Sequence, residues 1–186
     1  MSKKRCAWST SDPLYLDYHD YEWGQPVYDD QQLFELLMLE GMQAGLSWIT
    51  ILKKRENYRK LFHNFNPNKI VKMTDVDVET LMQNAGIIRH QGKIKAIISN
   101  AQAYLELKKQ KINFSDWLWQ LVDHKPLLNK FKQLQDIPAQ TELSQTMSKQ
   151  LKKAGFKFVG PTICYAFMQA AGMVNDHTKD CFLYKK

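Results

Sequence analysis

The chain has 186 residues, of which 44% are hydrophobic and 24% charged, and its formal net charge is +7. These proportions are typical of a globular protein and exclude a wholly disordered or membrane-embedded one. The length fits a single domain, residues 1–186, and the basic excess favours a polyanionic partner.

Cysteine usage and the N-terminal residues indicate a reducing compartment. Three cysteines are an odd number and too few for a disulfide framework, and residues 1–5 lead into polar sequence instead of an apolar signal segment. No apolar run approaches the roughly 18 residues that span a bilayer. We therefore expect a cytoplasmic monomer without membrane association.

The first segment, residues 6–28, is unusually aromatic and predicts a short helix over residues 14–19 between turns. Its aromatic residues are Trp8, Tyr15, Tyr18, Tyr21, Trp23 and Tyr28. Each ring by itself is typical of core packing. Their density favours a pocket lined by some of them.

Glu40 is the first residue that breaks an ordinary helical pattern. Asp29 and Asp30 are candidate N-caps for a helix that ends near Glu40. Leu36 and Leu37 lie four and three residues earlier, so Glu40 shares their inward face. Burial of an unpaired charge costs several kcal/mol or more. Glu40 is therefore either a structural glutamate with a fixed partner or a group that awaits a ligand.

Helical spacing predicts four more helices before residue 123. One begins near Ser47 and carries apolar residues as far as Phe62, and a second opens at the capping-box sequence of residues 74–77. A third contains the apolar stripe of residues 94–105, and a fourth is capped by Asn113 or Ser115. No segment alternates with period two, so we predict an all-α fold of many short helices.

The C-terminal part predicts a helix–hairpin–helix over residues 144–172. Gly155 is placed to end one helix, and Gly160 precedes the next, whose first backbone N–H groups are exposed. Lys153 and Lys157 lie beside them, an arrangement that suits a DNA phosphate. A simple αα-corner with solvated lysines is the alternative.

Four metal-binding side chains lie near the two ends of the chain. His177 and Cys181 are spaced i, i+4, and Cys6 and His19 lie near the N-terminus. Together they form a Cys₂His₂ set that suits tetrahedral zinc and would join the segments 6–19 and 177–181. The sequence also allows two incidental cysteines and two surface histidines. Cys164, amid apolar neighbours, is predicted to be an inert core thiol.

Several long motifs resemble one known family. They are Asp12-Pro13-Leu14-Tyr15, Tyr18-His19-Asp20, Glu22-Trp23-Gly24, Leu39-Glu40-Gly41, the run from Gln43 to Thr50, the run from Gly86 to His90, and the run from Gly155 to Gly160. They closely resemble DNA-3-methyladenine glycosylase I, of the helix–hairpin–helix superfamily. The resemblance spans Cys6 to Cys181 and weakens over residues 106–143.

The resemblance implies a compact helical enzyme that excises 3-methyladenine from alkylated double-stranded DNA and carries one structural zinc that joins its termini. By position, the zinc ligands are Cys6, His19, His177 and Cys181. Glu40 matches the carboxylate that contacts the extruded base, and Leu46 matches the residue that wedges into the duplex. The pocket aromatics are Trp48 and Tyr18, which stack on the base, and Tyr15, Trp8 and Trp23 beside them.

Two departures from the wider superfamily shape the expected mechanism. Relatives that also cut the backbone carry a lysine after the hairpin, whereas this chain has Pro161 and Thr162, which predicts a monofunctional enzyme that uses water. Relatives also place a catalytic aspartate after the second hairpin helix. Asp176 is a weak candidate for it, and a structural role, in capping or in orienting His177, is the alternative.

Two other classes of function remain open from the sequence. A non-catalytic DNA-binding module would use the hairpin and the basic face for phosphate contacts alone. A structural zinc domain acting as a protein adaptor would use the aromatic residues as core. An internal Glu40 between aromatic residues counts against the DNA-binding module, because backbone binding needs no internal carboxylate. The absence of affinity for DNA with an abasic analogue would favour the adaptor.

Overall fold

The computed structural model describes residues 3–184, and helices dominate this part of the chain. The α-helices are Pro13–Tyr21 (α1), Asp30–Gln43 (α2), Trp48–Leu52 (α3), Arg55–Leu61 (α4), Pro67–Ile70 (α5), Asp75–Met82 (α6), Gln91–Lys109 (α7), Phe114–Trp119 (α8), Glu142–Lys153 (α9) and Pro161–Ala170 (α10). Short 3₁₀ turns lie at His63–Phe65, Gln120–Val122 and Leu134–Asp136. Among the residues described, no helix is both long and apolar enough to cross a bilayer.

Side-chain caps explain where several helices begin. The Asp29 carboxylate accepts a hydrogen bond from the backbone N–H of Gln32 at the start of α2, and Asn113 caps α8 in the same way. The predicted capping box before α6 is present, with Asp77 bonded to the backbone N–H of Thr74 at 2.6 Å. These helix starts were therefore encoded locally.

The stretch predicted as one helix from Ser47 to Phe62 is two helices, α3 and α4. The chain turns at residues 53–54, and this turn lets both Trp48 and Tyr58 enter the core. Gly41 lies inside α2, whereas Gly45 follows the helix with a φ of +79°, a backbone conformation that favours glycine.

Helix α2 lies at the centre of the fold and packs against α3, α7, α8 and α10. Its inward face buries Leu33, Phe34 and Leu37 and ends at Glu40, which is 3% exposed. The apolar stripe predicted from the sequence thus enters the core and carries a carboxylate with it.

Two very short strands join the irregular middle of the chain to its C-terminal part. Leu127–Leu128 (β1) pairs in parallel with Val174–Asn175 (β2), with Leu127 opposite Val174. Two-residue strands are too short to show alternation in sequence. The domain is mostly helical, as the all-α prediction requires, and the β1–β2 pairing is a small addition that the sequence did not indicate.

Helices α9 and α10 pack together, and residues 154–160 form the hairpin between them. Gly155, with φ +94°, ends α9 as expected. The Asn100 side chain on α7 holds the hairpin by a donor–acceptor pair: its Nδ2 donates to the Lys157 carbonyl at 3.0 Å, and its Oδ1 accepts from the Lys157 N–H at 2.8 Å.

Candidate active site and adjoining Cys/His cluster

The four predicted metal ligands lie together in the fold, although Cys6 and Cys181 are 175 positions apart in the sequence. Cys6, His19, His177 and Cys181 are all buried, and their donor atoms lie within 4.8 Å of one another. The two terminal segments therefore meet, which the sequence could not show.

The spacing of these donors suits a tetrahedral ion. The Cys6 Sγ to His177 Nδ1, Cys181 Sγ to His177 Nδ1 and Cys181 Sγ to His19 Nε2 distances are each 3.5 Å. Zinc with Zn–N bonds of about 2.0–2.1 Å and Zn–S bonds of about 2.3 Å would separate neighbouring nitrogen and sulfur ligands by about 3.5–3.6 Å. The cluster could thus bind a metal of the zinc type.

The remaining imidazole nitrogens have partners that fix each ring. His19 Nδ1 lies 2.9 Å from Asp20 Oδ1, and Arg5 holds the Asp20 carboxylate with two hydrogen bonds. These contacts hold the pKa of Asp20 at about 2. His177 Nε2 lies 3.3 Å from the carbonyl oxygen of Trp23. Each ring can therefore donate its outer N–H and keep its inner nitrogen for a metal.

The cluster packs behind two tryptophans that line an aromatic cavity. The Trp23 ring stands edge-on to His177 at a centroid distance of 4.7 Å, and the Trp8 ring lies 5.2 Å from His19. Both tryptophans line a cavity of about 300 Å³. The positions of these two cavity walls consequently depend on the joined termini.

The cavity is lined by all five aromatic side chains that the family resemblance predicts for the pocket. Its lining residues are Trp8, Tyr15, Tyr18, Trp23, Glu40, Gln43, Trp48, Leu134, Ile137, Pro138, Ala139, Thr162, Tyr165, Ala166 and Gln169. Helices α1, α2, α3 and α10 and the segment 134–139 contribute to it. A cavity of this size suits a planar heterocycle.

The relative orientation of the rings limits how such a heterocycle can bind. The Tyr18 and Trp48 centroids lie 5.5 Å apart at 46°. A planar ligand between two parallel rings needs a centroid separation of about 7 Å, twice the contact distance of about 3.5 Å. Tyr18 and Trp48 are therefore adjacent walls inclined to each other, and they do not form a parallel sandwich.

Glu40 brings an unpaired carboxylate oxygen into this cavity. Among residues 3–184, the buried side-chain polar atoms that have no hydrogen-bond partner are Glu40 Oε2, Trp8 Nε1 and Trp48 Nε1. All three residues line the same cavity. Buried polar groups are normally paired, so one acceptor and two donors left open in one place mark a binding site.

Burial governs the ionisation of the groups in the cavity. It raises the pKa of Glu40 from its ordinary value of 4.5 to about 8. Burial and the nearby Glu40 charge also raise the pKa of Tyr15, and they raise that of Tyr18 well above its ordinary value. Both phenols therefore stay protonated at neutral pH, and the raised pKa of Glu40 favours its protonated form in the unliganded protein.

The residues predicted to contact DNA lie outside the cavity. Leu46 is 41% exposed in the turn between α2 and α3, and Lys157 is exposed on the hairpin. An added methyl group at Gly160 would meet no atom within 4 Å, so local packing does not require glycine there. Lys153 is also exposed, but it lines a groove beside Glu106, away from the hairpin tip.

Asp176 is buried and already has three donors. Its carboxylate accepts hydrogen bonds from Asn129 Nδ2 at 2.6 Å, the Tyr165 hydroxyl at 2.6 Å and Gln169 Nε2 at 2.8 Å. Tyr165 and Gln169 line the cavity, whereas Asp176 lies behind them and does not. These hydrogen bonds favour a structural role for Asp176 over a catalytic one.

We expect Asp176→Asn to reduce stability more than activity. The new amide nitrogen would face a donor, and an unpaired buried donor costs about 1–3 kcal/mol. The free energy of unfolding, measured by urea denaturation, should fall by that amount, while kcat/KM changes less than about tenfold. A loss of about a hundredfold or more with unchanged stability would instead make Asp176 catalytic.

Sequence reasoning missed the residues on the other side of the cavity. These include Thr162, Tyr165, Ala166 and Gln169, which line it from α10 at positions i, i+3, i+4 and i+7. That spacing is one helix face, and a polar face on an otherwise buried helix was a usable signal. The segment 134–139 gave no comparable signal, because its position depends on the β1–β2 pairing.

The fold and cavity define a helical enzyme whose aromatic, acid-containing site is large enough for a planar base. The chain belongs to the methyladenine glycosylase family, whose model matches residues 8–184. It is 55% identical over 177 residues to a DNA-3-methyladenine glycosylase of Haemophilus influenzae, which covers 95% of this chain and 96% of that protein.

Solved structures of related proteins have the same fold. A crystal structure of 3-methyladenine DNA glycosylase I superposes with a TM-score of 0.97 at 55% identity, over 98% of this chain and all of the other. A Staphylococcus aureus 3-methyladenine DNA glycosylase I, solved to explain its recognition of 3-methyladenine, has a TM-score of 0.94 at 42% identity, over 100% of this chain and 99% of that chain.

Proposed function

We propose that this chain is a DNA repair enzyme that hydrolyses the N-glycosidic bond of 3-methyladenine in alkylated DNA. The observation that carries the proposal is the Glu40 carboxylate, buried without a partner among Trp8, Tyr18 and Trp48 in a base-sized cavity. A non-catalytic DNA-binding module would gain nothing from this arrangement. The cavity can be reached only by a base that has left the helical stack.

The chemistry of the lesion fits these side chains. Methylation at N3 makes the nucleoside cationic, so its glycosidic bond is already weak and needs little acid catalysis. Glu40 accepts hydrogen bonds from the base edge, and the arriving cation favours the ionised form of Glu40, so that the site releases a proton on binding. Trp48 and Tyr18 hold the cation by ring contacts worth about 2 kcal/mol when desolvated. A neutral adenine gains less from both contributions.

The DNA-contacting part of the proposal involves the hairpin and the turn between α2 and α3. Residues 144–172 act as a helix–hairpin–helix whose Gly160 backbone and Lys157 bind phosphate, and the open space at Gly160 supports a close approach of DNA. Leu46 fills the gap left by the flipped nucleotide. Lys153 contributes through the general positive charge.

The remaining parts of the proposal concern the metal and the state of the chain. One structural zinc is held by Cys6, His19, His177 and Cys181, whose four donors fill a tetrahedron and leave no position for a reacting water. The whole chain acts as a single-domain monomer on double-stranded DNA in the cytoplasm. With Pro161 and Thr162 after the hairpin, hydrolysis uses water and stops at an abasic site.

Incubation with methylated duplex DNA, followed by chromatography of the released bases, tests the function. We expect 3-methyladenine to be released and the abasic product to remain unbroken until alkali treatment. Binding of DNA without any released base would support the non-catalytic alternative. Nicked product without alkali would contradict the monofunctional mechanism.

We expect Trp48→Ala to lower kcat/KM for 3-methyladenine by about thirtyfold, the equivalent of about 2 kcal/mol of lost ring contact. Trp48→Phe retains a ring and should lose much less, which separates ring contact from cavity shape. Single-turnover excision assays give both values. Equal activities for the native enzyme and the alanine variant would remove Trp48 from the site.

A further inference from the structure

Lys93 is a buried charged residue that the proposed chemistry does not use. It is 5% exposed in the first turn of α7, where the helix dipole disfavours a positive charge. Burial also lowers its pKa. Both its burial and its place at a helix N-terminus are unfavourable for a positive charge, so we expect contacts elsewhere in the structure to compensate for them.

The compensating contacts lie at the end of α2. Lys93 Nζ donates hydrogen bonds to the carbonyl oxygens of Met42 at 2.9 Å and Ala44 at 2.6 Å. A positive charge is favourable there, since these carbonyls lie at the C-terminal end of a helix. Lys93 therefore binds the chain at the point where α2 ends.

The segment that Lys93 binds is a type II β-turn over residues 43–46. The Leu46 N–H donates to the Gln43 carbonyl at 2.6 Å, Ala44 has φ −44° and ψ 116°, and Gly45 has φ +79°. The orientation of the central peptide distinguishes this turn from type I. The carbonyl of that peptide belongs to Ala44 and is the one that Lys93 holds.

The turn connects the cavity to the surface. Gln43, its first residue, lines the cavity, and Leu46, its last residue, is exposed. We propose that Lys93 is a positioning residue for lesion recognition: it fixes the turn so that Leu46 enters the duplex while Gln43 stays at the cavity. This inference rests on the proposed function, because it assigns Leu46 to the gap in the DNA.

Lys93→Met tests the inference, because methionine keeps an unbranched apolar chain and removes the ammonium donors. Lys95→Met is the matched control: Lys95 lies on the same helix, is half exposed and pairs with Asp75. Two ligands are compared. Free 3-methyladenine, followed by tryptophan fluorescence, reports the cavity, and a duplex with a tetrahydrofuran abasic analogue reports insertion of Leu46.

We expect Lys93→Met to bind the abasic duplex about tenfold more weakly and free 3-methyladenine within about twofold of the native protein. Lys95→Met should lose no more than about twofold for either ligand. Fluorescence of a 2-aminopurine opposite the abasic position should report reduced unstacking with Lys93→Met. Combined with Leu46→Ala, Lys93→Met should add no further loss, because it acts through Leu46.

Two results would overturn the inference: Lys93→Met behaves like Lys95→Met, or it weakens both ligands equally, as a general structural defect would. If Lys93→Met does not fold, Lys93→Gln, which removes the positive charge, carries the same comparison. Failure of the proposed function is distinguishable, since native protein would then release no 3-methyladenine from methylated DNA.

Discussion

Replacement of Glu40 by glutamine is expected to lower the rate of 3-methyladenine excision by a hundredfold or more. Glutamine has the same shape but no negative charge for a cationic base, and loss of one preorganised electrostatic contact typically costs about 10²–10³ in rate. Single-turnover kinetics on methylated duplex DNA measure this effect. Glu79→Gln, an exposed change on α6, is the charge-matched control and should leave the rate unchanged.

The same substitution is expected to stabilise the unliganded protein at high pH. The folded pKa of Glu40 is raised to about 8, against an ordinary value of 4.5. Above pH 4.5 the unfolded chain loses this proton while the folded chain keeps it, so native stability falls as pH rises towards 8. At about 1.4 kcal/mol per pKa unit, the cost approaches an upper bound of about 5 kcal/mol above pH 8.

Urea denaturation of both proteins between pH 5 and 9 would measure this difference. The stability of Glu40→Gln relative to native protein should increase steadily from pH 5 and level off above pH 8. A relative stability that is independent of pH would show that Glu40 has a partner in the folded state. Normal excision by the variant would remove Glu40 from the proposed mechanism.

Loss of the metal is expected to have the second large effect. Cys6→Ser should lose its zinc and lower Tm by about 10 °C, since metal binding at a buried site contributes directly to the folding free energy and each kcal/mol corresponds to about 2–4 °C in a protein of this size. The physical reason is that the proposed ion would join segments 6–19 and 177–181. Its loss should also loosen Trp8 and Trp23 and so weaken binding of 3-methyladenine.

Cys164→Ser provides the control for this experiment. Cys164 is a buried thiol outside the cluster that donates a hydrogen bond to the Val159 carbonyl, and a serine hydroxyl can do the same. Metal content by mass spectrometry should remain one zinc per chain in this variant. A full zinc content in Cys6→Ser, or equal loss in both variants, would contradict the assignment of the ligands.

Local sequence signals were sufficient for the starts of α2, α6 and α8 and for the inward direction of Glu40. The capping box before α6 is confirmed, and Asp29 and Asn113 are the actual caps among the two candidates predicted for each helix, because a helix start depends on hydrogen bonds within a few residues. Helix continuity between Ser47 and Phe62 was wrong. The break there follows from the burial of Trp48 and Tyr58 in the core, which no local pattern specifies.

By itself, the sequence determined a basic, helical chain with a carboxylate on an apolar helix face and a Cys₂His₂ set at its two ends. Its motifs also identified the family. Only the tertiary structure decided that the ends meet with ligand spacing, that Tyr18 and Trp48 form adjacent walls, and that Lys93 holds the turn at Ala44. These features join residues far apart in the chain, and their distances depend on how whole helices pack, which residue order does not encode locally.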